Sequence, residues 1–232
     1  MSKVPGQGMS LGRHSVSGMR LVASSVGFVA GLAGLEHGLF EILQGNVAPS
    51  GNVIDAIGPL QRLWEHGAEP ALTLVPNFLA TGILATIVSL IFIVWATAFV
   101  ERRRGTLVLG ILSVAMFLVG GGFAPPICAI MAIVAAASID KPLRRWRRIL
   151  SGGAARFLAG ILKPCLILFV ALCLLCIELA IFGYPLLWLF DADGTLSLIT
   201  GIGYITYFAL GPLVLLAAVA EGTQDRAARS AG

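Results

Sequence analysis

The sequence predicts an all-α, polytopic membrane helix bundle, and three observations carry that reading. Hydrophobic residues fill 57% of the 232 positions and charged residues 12%, about half the charged share of an ordinary soluble domain. Mean hydropathy is +0.91. The apolar residues are gathered into long runs, 21–44, 76–100, 106–139, 157–190 and 195–220, each bounded by polar or charged breaks. A membrane span needs about 20 such residues, so helices and short loops occupy the chain and leave no room for a soluble catalytic domain. The net charge of +4 does not point to nucleic acid, because Lys and Arg cluster at the ends of the runs, where they act as topology signals.

Segment 1–20, with Lys3, Arg13 and Arg20, reads as a cytoplasmic lead-in. Small residues at Gly31 and Ala33 suit a cleaved leader, but the apolar pattern resumes beyond them and completes a full span. Loop 45–75 follows and is expected outside. Its Val53, Ile54, Ile57, Leu60, Leu63 and Trp64 recur at near-helical spacing, which predicts an amphipathic helix lying on the outer surface with Trp64 at the interface. The run 76–100 is the second span.

The run 106–139 would extend about 50 Å as one helix, against a hydrocarbon core of about 30 Å. Its middle reads GGGFAPP, from Gly120 through Gly121 and Gly122 to Pro125 and Pro126, a break followed by a fresh start. Both flanks are basic, Arg102–Arg104 before and Lys141–Arg148 after, so both belong inside. The run is therefore predicted to be a short hairpin, 106–120 and 124–139, turning at the outer side. The basic segment 140–156 places Arg144, Arg145, Arg147 and Arg148 around Trp146, a composition that favours anionic lipid headgroups. The runs 157–190 and 195–220 complete six passes across 21–220, with the tail 221–232 inside a plasma (inner) membrane. On this topology Arg62 is the one basic residue outside, among Asp55, Glu65, Glu69, Asp191 and Asp193.

Chemistry concentrates in the first run, which carries Glu36, His37 and Glu41. Ionisable groups at that depth are expensive and face a protein interior or a water-filled cavity. Gly27, Gly31, Gly34 and Gly38 recur at steps of 4, 3 and 4 and form a seam along which a neighbouring helix approaches closely. The same steps continue to Glu41 at the outer end of that seam, and His37, Glu41 and Gln44 also share a face. A carboxylate and an imidazole one turn apart can share a proton, or bond to neighbouring helices as a packing clasp. Two ligands at that spacing are common by chance and no span holds a further His, so no metal is assigned.

Glu178 lies at matching depth in the fifth run, and Ile177-Glu178-x-x-Ile181-Phe182 resembles Leu35-Glu36-x-x-Leu39-Phe40. The expectation is that Glu36, His37, Glu41 and Glu178 line one cavity open to the outside. Cys128, Cys165, Cys173 and Cys176 fall within apolar runs and read as small apolar residues. There is no phosphate-binding loop, H-E-x-x-H or G-x-S-x-G, and no cofactor is indicated. Three functions fit: a small carrier or channel-like protein with a protonatable Glu/His site, an accessory subunit that associates with itself or a larger complex, and, with less support, a membrane-embedded enzyme on a lipidic substrate.

Overall fold

The computed structural model describes residues 17–139, 141, 146, 149–150 and 152–231, with side chains through Gln224. Arg144, Arg145, Arg147, Arg148 and most of segment 1–20 lie outside the described residues. Helix α1 spans Gly18–Gln44, and its first turn is capped by Ser17, whose hydroxyl accepts from the Arg20 N–H. Helix α2, Phe78–Val94, is capped by Asn77 and continues through a π-helical turn at Trp95–Phe99. Helices α3 (Gly105–Leu118), α4 (Ala124–Ser138) and α5 (Gly152–Phe182) follow. Helix α6 (Ala192–Tyr204) passes through a second π-helical turn, Ile205–Leu210, into α7 (Gly211–Ala231).

Among the described residues, four rods are long and apolar enough to cross a membrane: Gly18–Gln44, Phe78–Phe99, Gly152–Phe182 and Ala192–Gln224. The other two, α3 and α4, are about 21 and 22 Å long at 1.5 Å per residue. They divide the run 106–139 at its glycines. Gly120 and Gly122 adopt φ of +97° and +82°, a region that residues with a Cβ seldom occupy. Pro125 and Pro126 then fall in the first turn of α4, where a missing N–H leaves no hydrogen bond unmade.

Contacts between the rods sort their ends into two groups. The α3–α4 turn lies beside loop 45–75, since Leu74 N–H donates to Leu118 O and Gly120 N–H to Leu72 O, both at 2.9 Å. Trp64 Nε1 donates to Ala180 O at 2.8 Å, which brings the end of α5 to the same side. At the opposite end Arg20 Nε lies 3.4 Å from Glu101 Oε2, and Gly18 abuts Leu162. Successive rods therefore alternate in direction between two ends.

Helix α1 sits at the centre because one of its faces has almost no side chains. A Cβ on Gly27 would stand 2.5 Å from Ala96 Cβ, and one on Gly34 would stand 2.6 Å from Ser89 Oγ and 2.5 Å from Met116 Sδ. One on Gly31 would strike Ile93, and one on Gly38 would stand 2.7 Å from Thr86 N. Gly82 of α2 answers Gly38, so the two backbones touch there. Val22 and Val26 of α1 form the core with Phe92, Leu109, Ala132 and Phe169.

Loop 45–75 corrects one expectation, because no helix forms there. Instead β1 (Val53–Asp55) and β2 (Pro70–Leu72) pair antiparallel, with Val53 opposite Leu72 and Asp55 opposite Pro70. Gly51, the Gly58-Pro59 step and Gly67 interrupt any helix, and the backbone bonds across the loop instead, Ala56 N–H to Glu69 O and Ile57 N–H to Ala68 O. Ile54, Ile57 and Trp64 are buried while Leu60 and Leu63 are exposed. Trp64 is thus an internal anchor and not an interfacial one.

Gly38→Ala is expected to destabilise the protein by about 1–3 kcal/mol through overpacking. Gly110→Ala, where an added Cβ meets nothing within 4 Å, should be neutral or stabilising by up to about 1 kcal/mol through helix propensity. Thermal unfolding of both variants in lipid nanodiscs tests this contrast in sign.

Candidate functional site: a capped carboxylate–histidine cluster

The outer turns of α1 carry Glu36, His37, Glu41 and Gln44 toward loop 45–75. His37 and Glu41 are 1% and 0% exposed, so both rings of solvent that would normally hydrate them have been replaced by protein. Glu36 Oε2 lies 3.0 Å from His37 Nδ1, and with the carboxylate as acceptor the Nδ1–H is the donor. The other ring nitrogen, Nε2, lies 3.3 Å from Glu69 Oε2. Glu69 is contributed by the loop, immediately before β2, and has φ +52°, an uncommon conformation for a residue with a side chain. Burial raises the Glu69 carboxyl above its ordinary range; the His37 ring opposes that rise and the Glu36 carboxylate adds to it.

Glu41 stands one turn beyond His37. Among the described residues, neither of its carboxyl oxygens has a hydrogen-bond partner, and Glu36 Oε1 has none either. The α3–α4 turn closes over both groups with bare backbone: a Cβ on Gly120 would strike the Glu41 carboxyl, and one on Gly122 would strike His37 Nε2. Glycine is required at these two positions both for φ and for space.

The cap is stitched to the rods at several points. Gln44 Nε2 donates to Asp55 O and Ala56 O at 2.9 and 2.7 Å. Thr73 Oγ1 lies 2.6 Å from Thr81 Oγ1, which in turn donates to Val119 O at 2.6 Å. His66 Nε2 lies 2.9 Å from Asp193 Oδ1 at the start of α6.

Of the residues singled out in the sequence, the structure brings Glu36, His37, Glu41, Gly120 and Gly122 together. Gln44 holds the loop and does not meet His37. Gly121 packs on Met116, and Pro125 and Pro126 belong to α4. Glu178 corrects the expectation of one shared cavity, because it is exposed on α5. The inward face of that helix carries Phe169, Cys173 and Leu179, and one residue back from Leu179 is about 100° around the helix. Sequence reasoning missed Glu69 as a member of the cluster. Its tie to His37 runs through a ribbon whose pairing has no periodic signature.

Glu36, His37 and Glu69 each offer one ligand atom, and these atoms lie within 4.8 Å of one another. The arrangement can hold a proton or a cation among three carboxyl groups and one imidazole. Comparison with family models, characterised proteins and solved structures found no match to this chain, so its function has to be read from this cluster.

Trp64→Phe removes the bond to Ala180 while keeping an aromatic ring in place. It is expected to cost about 0.5–1.5 kcal/mol and to raise amide hydrogen exchange across 56–69 without changing exchange in α1, as measured by mass spectrometry.

Proposed function

We propose that this protein is a small carrier or channel-like membrane protein whose loop-capped Glu/His cluster binds a proton or a small cation. The observation that carries the reading is Glu41, a fully buried carboxyl with no hydrogen-bond partner among the described residues. A clasp selected only for packing would satisfy its polar atoms, since each buried unsatisfied group costs about 1–3 kcal/mol. A ligand site tolerates that cost because the missing partner is the ligand.

The same reading gives six passes with both termini inside an inner membrane. Its support is the alternation of the rods, with the basic Arg102–Arg104 stretch at the end away from loop 45–75, in keeping with a cytoplasmic excess of positive charge. The short α3 and α4 are accommodated by local thinning of the bilayer. The site then lies near the outer face, reached through the Glu36 and Glu69 side chains, which are 13% and 21% exposed. Anionic headgroups are the proposed contacts of Arg144, Arg145, Arg147 and Arg148.

An accessory role is the second reading. It is favoured by a cleft of about 720 Å³ between α1 and α5, lined by Leu21, Phe28, Ile167 and Leu174 with Lys163 at its edge. Such an apolar opening suits a partner helix, from a second copy or a larger complex.

Infrared difference spectroscopy of the protein in lipid tests the first reading. A protonated-carboxyl band that appears and disappears with pH is expected, with Glu41→Gln folded but lacking that band and lacking proton or cation uptake in vesicles. If Glu41→Gln merely melts at lower temperature, with the band and uptake intact, the cluster is a packing clasp.

A further inference from the structure

We infer that the cluster is a divalent transition-metal site, with His37 Nε2 and Glu69 Oε2 as ligands, Glu41 as the adjoining charged oxygen donor, and Glu36 as the carboxylate that orients the histidine. This rests on reading the cluster as a ligand site, and it names the ligand. Four features of the geometry lead to it.

The first is spacing. Ligands about 2.0–2.1 Å from a tetrahedral ion are about 3.3 Å from one another, and the Nε2–Oε2 separation is 3.3 Å. The second is orientation. The Nδ1–H of His37 donates to Glu36 at 3.0 Å, which fixes Nε2 as the nitrogen with a free lone pair. Metal-bound histidines are held in this way by a carboxylate on the far ring nitrogen.

The third is charge and satisfaction. Three carboxyl groups surround one imidazole, and Glu41 is fully buried with both oxygens unpartnered among the described residues. A dication bound to a neutral imidazole offsets two of the three carboxylate charges and supplies the Glu41 oxygens with the partner they lack among the described residues. The fourth is enclosure. Only backbone without a side chain fits against the Glu41 carboxyl and His37 Nε2, since a Cβ on Gly120 or Gly122 would clash with them, so the turn shields these donors from solvent.

An imidazole with carboxylate oxygens is a borderline donor set, suited to zinc and its first-row neighbours more than to magnesium or calcium. A proton alone does not need the ligand-edge distance between His37 Nε2 and Glu69 Oε2. The span sequence conceals the site because its third donor, Glu69, comes from the loop.

The test uses the full chain, purified without a polyhistidine tag and placed in nanodiscs, titrated with Co²⁺ and then with Zn²⁺. One Co²⁺ per chain is expected, with visible d–d bands that Zn²⁺ displaces. Glu69→Gln and Glu36→Gln should weaken binding roughly 10- to 100-fold, and His37→Asn should abolish it. Asp193→Asn, at the exposed His66 pair, should bind as the parent does. Because Glu69 lies outside the helices, its variant keeps the test valid if His37→Asn does not fold. Binding that survives both Glu69→Gln and His37→Asn would overturn the assignment. No binding, with a titrating Glu41 band still present, overturns the metal and leaves a proton site. No binding and no titrating band removes both readings.

Discussion

Close approach of α1 to its neighbours is the constraint on which the rest of the structure depends. The glycine face lets α2 pack against the α1 backbone, and the Met116 side chain, near the end of α3, reaches Gly34. The Met116 carbonyl then accepts from Gly121 N–H at 2.8 Å, which fixes the α3–α4 turn. That turn delivers Gly120 and Gly122 onto Glu41 and His37. A stripe of small residues deep in the bundle thereby sets the position of backbone beside the ionisable cluster.

The cluster shows how a membrane protein keeps charge at depth. His37 is flanked by carboxylates on both ring nitrogens, one from its own helix and one from the loop. Coulomb attraction in a medium of low polarity is strong, but desolvation of each group opposes it. Glu36 Oε2, the His37 ring and Glu69 Oε2 have one another. Both Glu41 oxygens, by contrast, are without a hydrogen-bond partner among the described residues.

The features that the sequence makes legible are those with a local period or a local break. Apolar runs give the rods, GGGFAPP gives the division between α3 and α4, and steps of 4, 3 and 4 give the glycine face. Loop 45–75 is not legible in this way, because Ile54 packs on Ala56, Ala71 and Phe78 whereas Trp64 is held by Ala180, and their helical spacing is coincidental. The position of Glu178 is not legible for a related reason. Its depth matches that of Glu36, but depth and helical phase are independent, and the phase turns it away from the bundle. Glu69 had no periodic neighbour that could connect it with His37, so only the folded ribbon reveals the pair.

Loop 45–75 is tied at its two ends to different parts of the molecule. Trp64 and His66 hold it to the α5–α6 junction, whereas Glu69 and the β2 strand hold it to His37 and the α3–α4 turn. Gly67 stands between these attachments. A tilt of α5 relative to α1 therefore has to be absorbed across the few residues from Trp64 to Glu69, or it will pull the carboxylate from the imidazole. The loop is in effect a short tether between two mechanical bodies, with the contact at His37 at one end of it.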